Sequence, residues 1–461
     1  MQTIRRIRRV QVTTVALIVS ALCGVATTAP LKAQGAPPRD SAPRPAATPD
    51  PLRGEREKLS AVGAQARNQQ DQFERNHRSG LRFYNGGADA KCDVDFGGNL
   101  CYWNNNDDVP PPDERNDAKL ERLELLQVLK KAQEADPADD WVSGMRVRYA
   151  LEAAQLDTAA MAAAACSGTA WWCAALQGIA AHIANRHDAS SRAFARALSL
   201  MPAEQRCEWT DLSLWLEPTA HAKYKAIPCA SREAENARIF RLAQPLWMLS
   251  AGDISNELYS RWTISRVHSL GRIPYDMNFG RNILESQVRY GWPEAWSVQN
   301  GGVADPRPPS VIGHEPTPSY DFMPNQSVID NPLSATDADW NLRDPKARMR
   351  YSPRYGVGYR PLPHQIARFR RGDSTLVAGG YRMVRELEMG RAPYTAALTF
   401  DALNGAPPRQ IIKDSATAAG ALLLPMGTTP MLASLEVLAP ASRRAARVRT
   451  TVQPLPAGAR L

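Results

Sequence analysis

The chain has 461 residues, of which 44% are hydrophobic and 22% charged, and its 56 Lys and Arg against 47 Asp and Glu give a formal charge of +9. Five of the basic residues and no acidic residue lie within residues 1–33, so the rest of the chain carries only +4. The pI of about 9.2 is therefore partly a property of this leader. Without the leader the remaining charge is small, so cytoplasmic nucleic acid is excluded as the obvious partner.

Residues 1–33 have the order of a secretory signal. Four arginines within residues 5–9 precede an uncharged stretch from Val12 to Ala29, and a small-residue cleavage site is expected at residues 31–33. The alternative is an uncleaved anchor, because about 18–20 apolar residues span a bilayer. We therefore expect an exported protein, periplasmic or secreted, that is membrane-tethered if the signal is retained.

Six cysteines follow the leader and predict disulfide bonds, since an oxidising compartment favours bridges over thiols. Six cysteines allow 15 pairings, and short loops cost the least entropy to close. The alternatives, zinc binding and redox catalysis, lack a Cys-x-x-Cys motif and a histidine at ligand spacing. The predicted local pairs are Cys92 with Cys101, Cys166 with Cys173, and Cys207 with Cys229.

Composition along the chain predicts a multidomain α+β fold, in which tetratricopeptide-like α-helical hairpins precede a small antiparallel β-sandwich. A charged, Gln-rich stretch at residues 55–80 predicts a short solvent-facing helix. The predicted segments are a signal at 1–33, a disordered Pro/Ala-rich linker at 34–54, an irregular disulfide-containing region at 55–116, a tetratricopeptide-like helical domain at 117–230, a helical hairpin region at 231–300, a Pro-rich extended segment at 301–365 and a β-sandwich-like domain at 366–461.

Three- and four-residue spacing of apolar side chains predicts helices from residue 117 onward. The first of these helices is expected to bury one face that comprises Leu120, Leu123, Leu126, Val128 and Leu129. Further helices are expected at about 139–155, 157–165, 171–185, 188–200 and 256–270.

The helices at 171–185 and 188–200 resemble a tetratricopeptide repeat. With Pro202 as the closing proline, Gly178, Phe194 and Ala197 occupy the positions of the repeat's glycine, aromatic and small residues. Ala181 stands where the repeat has an aromatic residue. The resemblance implies a scaffold or a binding surface, because such hairpins rarely catalyse reactions.

A second resemblance rests on the segments Arg289-Tyr290-Gly291-Trp292-Pro293 and Gly313-His314-Glu315-Pro316. The chain resembles exported bacterial proteins of uncharacterised activity that place such segments after a repeat-like helical region. It is also distantly similar to the GWxTD domain, although the Gly-Trp-x-Thr-Asp motif itself is absent. These resemblances imply an architecture and no particular activity.

After about residue 372 the pattern changes to short β-rich runs separated by turn residues, which predicts a small antiparallel sandwich with a domain boundary near residue 365. The predicted strands are residues 374–378, 381–389, 394–400, 410–413, 421–424, 432–438 and 445–452.

His314 lies beside Glu315 in an irregular segment, an arrangement that suits a general base or a ligand. The structural alternative is a surface histidine, since no partner nucleophile is visible in the sequence. Tryptophans suit sugar rings or a partner's apolar face when exposed, and belong to the core when buried. The predicted binding residues are Tyr290, Trp292, Trp296, His314 and Tyr320.

No cofactor and no metal site are predicted. His182 and His187 stand five residues apart, whereas zinc-binding helices place histidines four apart with a glutamate between them. An acidic stretch around Asp93, Asp95 and residues 104–108 departs from the calcium-loop signature at Gly97, so turn chemistry explains it better.

The missing serine-hydrolase, phosphate-loop and dinucleotide patterns favour a scaffold or protein–protein interaction protein in the cell envelope over an enzyme. From Asn341 onward 19 Lys and Arg face 7 Asp and Glu. This basic C-terminal region suits an anionic glycan or membrane surface, or else it attracts the acidic body of the chain. The alternative function is a hydrolase or carbohydrate-active enzyme centred on His314, Glu315 and Tyr290.

Overall fold

A computed structural model describes residues 61–76, 82–83, 94–97, 100–103, 114–249, 252–274, 278–293, 295–299, 310–314, 319–340, 342, 347–372, 374–383 and 389–456, with the backbone alone at 82–83, 103, 295–299, 310–314 and 337. The predicted signal and linker lie outside these residues. Within them the protein is α+β, as predicted, with helices before a sheet region near the C-terminus.

Twelve α-helices fall within the described residues. They are α1 (Ala61–Asn76), α2 (Asn116–Ala135), α3 (Asp140–Glu152), α4 (Leu156–Ala164), α5 (Ala170–Ile183), α6 (His187–Leu200), α7 (Ala203–Trp209), α8 (Pro218–Lys225), α9 (Glu233–Ala243), α10 (Asp253–Leu270), α11 (Arg281–Tyr290) and α12 (Gln326–Asp330). The strands there are β1 (Arg82–Phe83), β2 (Val94–Asp95), β3 (Leu100–Trp103), β4 (Ala295–Gln299), β5 (Ser310–His314), β6 (Gly358–Pro361), β7 (His364–Arg371), β8 (Ser374–Arg382), β9 (Tyr394–Asp401), β10 (Arg409–Ala416), β11 (Ala419–Met426), β12 (Met431–Ala439) and β13 (Arg444–Val452).

The helices predicted between residues 139 and 200 are confirmed as α3 to α6, with ends displaced by three residues or fewer. The predicted buried face of α2 was wrong in part. Leu126 and Leu129 are buried, but Leu120 is 62% exposed and Leu123 is 42% exposed, and Leu125 is buried instead. The buried face of α2 is therefore rotated about the helix axis relative to the predicted one.

Helix α1 was predicted to face solvent and instead buries one side against α2 and α3. Phe73 and Glu74 are buried on that side. The carboxylate of Glu74 pairs with the buried guanidinium of Arg148 and accepts a hydrogen bond of 2.5 Å from the Tyr149 hydroxyl. Gln70 donates to the same hydroxyl at 3.0 Å. A mostly polar helix thus docks through a buried ionic network, which hydrophobic periodicity does not reveal.

Helices α5 and α6 form a tight hairpin around Gly178. A Cβ atom at Gly178 would lie 2.6 Å from the ring of Phe194 on α6, so only glycine permits this approach. Ser190 donates to the Gly178 carbonyl at 2.9 Å across the same contact. The hairpin turns at Asn185, whose φ of 58° is left-handed, a conformation that asparagine tolerates at helix ends.

A five-stranded mixed sheet has the order β1-β4-β5-β3-β2 and draws on distant parts of the chain. Strand β5 lies within the segment predicted to be extended and Pro-rich, and it pairs with both β3 and β4. Tyr102 of β3 stacks on Tyr290 of α11, with ring centroids 4.2 Å apart. The predicted irregular region and the Arg-Tyr-Gly-Trp-Pro segment therefore pack together.

The C-terminal region contains a five-stranded sheet of order β10-β9-β12-β13-β6 and a three-stranded antiparallel sheet of order β11-β8-β7. The strand predicted at 374–378 and the start of the strand predicted at 381–389 form one strand, β8, because both Gly379 and Gly380 remain in register with β7 and β11. Residues 384–388 lie outside the described residues. Strand β7 was not predicted at all. Strands β6 and β7 begin before residue 365, where the boundary was expected.

The larger C-terminal sheet docks on the end of α9 through buried arginines of β13. Arg447 donates to the Pro245 carbonyl at 2.6 Å, and Arg449 donates to the Leu242 and Gln244 carbonyls at 2.5 Å. The Leu242 carbonyl belongs to the last turn of α9, and those of Gln244 and Pro245 follow it, so none of them has a partner within the helix. The guanidinium groups thus satisfy the helix end and attach the sheet to it.

Two of the three predicted cysteine pairs are present as disulfide bonds. The Cα atoms of Cys166 and Cys173 lie 5.4 Å apart, and those of Cys207 and Cys229 lie 5.7 Å apart. Cys92 lies outside the described residues, so its pairing with Cys101 stays a prediction. Among the helices that the structure describes, none combines the length and the apolarity needed to cross a membrane.

Candidate functional site

Tyr290 and Trp292 lie near each other at the end of α11, in packed surroundings. Tyr290 is 5% exposed, and its hydroxyl donates to the Ala347 carbonyl at 2.8 Å. Trp292 is half-buried against the buried His268, with ring centroids 3.9 Å apart. Burial lowers the pKa of His268 well below its ordinary value. Both aromatic side chains therefore pack against neighbouring residues, and their predicted binding role stays a prediction.

Trp296 and His314 lie on the neighbouring strands β4 and β5, where Trp296 pairs with Gly313. Their side chains and Glu315 lie outside what the structure describes, so their proposed roles stay predictions. Tyr320 is 2% exposed and pairs through its backbone with Tyr351. The structure thus brings Trp296 and His314 onto paired strands and places Tyr320 in a different core cluster from Tyr290.

A polar cluster that the sequence did not predict lies at the turn between α5 and α6. The Nε2 atom of buried His182 lies 2.8 Å from Oε2 of Glu257 on α10. Burial alone would raise the pKa of Glu257, but the charge of Arg261 and the hydrogen bond with His182 outweigh it and lower this pKa to about 2. Glu257 is therefore a carboxylate at neutral pH and accepts a hydrogen bond from His182 Nε2.

The second half of the cluster surrounds Asp253, the first residue of α10. Its carboxylate is buried and accepts hydrogen bonds from the Tyr351 hydroxyl at 3.1 Å and the Tyr355 hydroxyl at 3.3 Å. The Nδ1 atom of His187 lies 3.5 Å from Asp253 Oδ1. Burial lowers the pKa of His187 despite the opposing charge of Asp253, which favours a neutral ring near pH 7.

Local backbone geometry explains why these groups meet. In one continuous helix, two histidines five residues apart would face different directions. The left-handed Asn185 ends α5 and reverses the chain, so His187 becomes the first residue of α6. Gly252, with a φ of 106°, sets the start of α10 at Asp253.

The cluster is connected to two of the predicted residues through buried contacts. Arg261 donates to Glu257 at 2.5 Å and to the Arg289 carbonyl at 2.6 Å, directly before Tyr290. Tyr351, which donates to Asp253, is the backbone partner of Tyr320. Tyr290 and Tyr320 therefore lie beside the surroundings of the cluster and are not among its polar groups.

His182, His187 and Asp253 each offer one ligand atom, and these atoms lie within 4.8 Å of one another. Sequence spacing alone missed the set because Asp253 is distant in sequence and the two histidines lie on different helices. A signal was present in the Asn-Arg-His sequence that follows His182, since asparagine favours the helix-ending conformation observed here.

A second feature with functional meaning is the outer face of the three-stranded sheet β11-β8-β7. Strand alternation places one set of side chains on the core and the other set outward. Phe369, which pairs with Leu376, is 42% exposed, and Leu423, which pairs with Ala378, is 52% exposed. The apolar residues of this face, which we call the outer sheet face, are Ala367, Phe369, Leu376, Ala378, Ala421, Leu423 and Pro425.

Arginines flank the outer sheet face. Arg371 at the end of β7 and Arg382 at the end of β8 are exposed and lie on the same side of the strands as Phe369 and Leu376.

No protein-family model, curated protein or solved structure matches the chain. The candidate sites among the described residues are the polar cluster and the outer sheet face.

Proposed function

We propose that this protein is an exported protein–protein interaction protein that binds a partner in the cell envelope through the outer sheet face. The observation that carries the proposal is the exposure of Phe369 and Leu423 on one continuous apolar surface. Soluble proteins seldom leave such surfaces uncovered unless they serve an interaction.

The proposed scaffold joins a tetratricopeptide-like hairpin to a small β-sandwich. The close contact of Gly178 with Phe194 supports the repeat-like packing of α5 on α6. For the sandwich, Val377 of the smaller sheet and Leu398 and Leu435 of the larger sheet share one core. The inner side of the three-stranded sheet is thus covered by protein, which leaves the outer sheet face for a partner.

The charges around the face favour an acidic protein partner. Arg371 and Arg382 would meet carboxylates at the rim, while Phe369 and Leu423 contact an apolar centre, the usual arrangement of protein interfaces. A glycan offers less apolar surface than this face presents. Export is supported by the two disulfide bonds, because such bonds persist in oxidising compartments.

The test is site-specific photo-crosslinking in the cell envelope of the producing organism. A photoreactive phenylalanine analogue is introduced in place of Phe369 or Leu423, and Ile412 of β10 serves as the matched control. Ile412 is an exposed apolar side chain, 45% exposed, on the other C-terminal sheet. We expect one discrete protein adduct from positions 369 and 423, absent from position 412 and weakened by the double substitution of Arg371 and Arg382 to Ser.

The mass and nature of the adduct distinguish between the possible kinds of partner. An adduct of constant mass with a second protein supports the proposal, and mass spectrometry of its peptides then identifies an acidic contact segment. Adducts of twice the chain's mass indicate self-association, and lipid adducts indicate a membrane surface. Either of these results, or equal adducts from all three positions, contradicts the proposal.

A further inference from the structure

We propose that His182, His187 and Asp253 form a binding site for a divalent cation of the zinc class. These three groups come from α5, α6 and α10 and bring two imidazoles and one carboxylate together. The site is separate from the outer sheet face and does not depend on the interaction proposed for it.

The geometry of two of the ligands already suits such an ion. Zinc binds imidazole and carboxylate at about 2.0–2.2 Å, so two ligands of a tetrahedral site lie about 3.3–3.5 Å apart. The His187 Nδ1 atom and Asp253 Oδ1 are separated by 3.5 Å. The ligand atom of His182 lies within 4.8 Å of the other two, so a small rearrangement of side chains brings all three to an ion.

The hydrogen bond between His182 and Glu257 leaves Nδ1 of His182 as the nitrogen available to a metal. The Glu257 carboxylate accepts a hydrogen bond from Nε2–H, so a neutral His182 ring carries its lone pair on Nδ1. This Nδ1 atom is buried and has no hydrogen-bond partner among the described residues, and the same holds for Nδ1 of His187. His182 itself is 1% exposed, so its unpartnered nitrogen lies in the interior.

Neighbouring residues provide the outer contacts that metal ligands require. Histidine ligands usually donate their second nitrogen to a carboxylate, and ligating carboxylates are themselves hydrogen-bonded. Glu257 fulfils the first role for His182, and Tyr351 and Tyr355 fulfil the second for Asp253. The carboxylates also offset the positive ends of α6 and α10, which would otherwise repel a cation.

Zinc fits this ligand set better than redox-active iron. Two histidines and a carboxylate suit either Zn²⁺ or Fe²⁺, but an oxidising compartment, which the disulfide bonds favour, does not maintain Fe²⁺. Three protein ligands leave a fourth position for water or for a ligand of a partner. His187, 19% exposed, and Glu257, 15% exposed, are the sides of the site that solvent reaches.

The test is calorimetric titration of the chelator-treated full chain with Zn²⁺. We expect one Zn²⁺ per chain, with affinity at least tenfold weaker in His187→Gln and unchanged in His221→Gln. His221 is a comparable half-buried histidine that is distant in sequence from the cluster. Its ring contacts the Ser213 carbonyl. Tyr351→Phe tests a positioning residue, and we expect about tenfold weaker binding with the same stoichiometry. Co²⁺ substitution should give the absorption bands of a tetrahedral site.

A second measurement needs no variant and applies even if His187→Gln fails to fold. Diethylpyrocarbonate modifies accessible neutral histidines, and peptide mapping follows the modification of His187 in the native chain. Zn²⁺ should slow this modification and leave that of His221 unchanged. Absence of stoichiometric binding, equal affinity of the His187 and His221 variants, or unaltered modification of His187 would overturn the proposal.

Discussion

The buried carboxylate of Glu436 on β12 accepts a hydrogen bond of 2.8 Å from the backbone amide of Trp247, which follows α9. It also accepts from the Met248 amide at 2.8 Å and from the Ser434 hydroxyl at 2.6 Å. One charged side chain therefore joins the larger C-terminal sheet to the helical region. Because this carboxylate is buried, its hydrogen bonds cannot be replaced by water.

Replacement of Glu436 by Gln should destabilise the protein by about 2–4 kcal/mol. One of the two backbone amides would then face an amide NH₂ group, and a buried donor left without a partner is costly. Urea unfolding followed by tryptophan fluorescence measures the loss. The matched control is Asp414→Asn on the exposed part of β10, which should change stability by less than about 0.5 kcal/mol.

Equal effects of the two substitutions would contradict a joining role for Glu436. So would a Glu436→Gln protein in which the sheet and the helical region unfold at unchanged urea concentrations.

A methyl group at Gly178 should be poorly tolerated. Its carbon would lie 2.6–2.7 Å from three atoms of the buried Phe194 ring. Overpacking of this kind costs about 1–3 kcal/mol, which exceeds the gain of about 1 kcal/mol in helix propensity from Gly to Ala. Gly144→Ala is the control, since its added carbon would meet Trp172 at 3.1 Å.

Thermal unfolding followed by circular dichroism compares the two alanine variants. We expect Gly178→Ala to lower the melting temperature and Gly144→Ala to leave it closer to that of the unmodified chain. A Gly178→Ala protein as stable as Gly144→Ala would show that the α5–α6 contact is looser than the structure indicates.

Much of the helical region was predictable because local spacing determines it. The bounds of α5 and α6 follow from apolar periodicity and from the asparagine between them. The predicted buried face of α2 was wrong in part because Leu120 and Leu123 continue the three- and four-residue spacing on a side that no helix among the described residues covers. Periodicity predicts that a helix is amphipathic, and only tertiary packing decides which leucines are covered.

Strand β7 and the polar cluster were not predictable for a different reason. The sequence of β7 is HQIARFRR, in which Ile366 and Phe369 stand three residues apart, so it lacks the strict apolar–polar alternation that predicts a half-buried strand. It becomes ordered through pairing with β8. The cluster depends on Asp253, whose approach to His182 requires the packing of α10 against α5 and α6. Long-range contacts of this kind leave no spacing in the sequence.

The two disulfide bonds should stabilise the protein unequally. In the chain-entropy model, a bridge that closes a longer loop restricts the unfolded chain more, with about 2.4 kcal/mol expected for a seven-residue loop and about 3.4 kcal/mol for a 22-residue loop. The sequence separations are 7 for Cys166–Cys173 and 22 for Cys207–Cys229. Double replacement of Cys207 and Cys229 by Ala should therefore cost about 1 kcal/mol more than that of Cys166 and Cys173.

Guanidinium unfolding of the two double variants measures this difference, after mass spectrometry of an unreduced digest has established both pairs in the unmodified chain. A greater loss from the Cys166–Cys173 pair would show that native packing outweighs loop entropy at these bonds.

Stability should fall in acid through Glu257. Its folded-state pKa, about 2, lies below the ordinary value of 4.5, so the folded state favours the carboxylate. The contribution is fully present above pH 4.5 and is lost as the pH falls through 2. A shift of this size corresponds to about 3 kcal/mol. In a chelating buffer, the free energy of unfolding should therefore fall more steeply between pH 5 and pH 2.5 for the unmodified chain than for Glu257→Gln.

Glu285→Gln is the control, because Glu285 forms a comparable helical ion pair with Arg289 at a more exposed position. Parallel pH profiles for the unmodified chain and Glu257→Gln would show that Glu257 is not held as a carboxylate by Arg261 and His182.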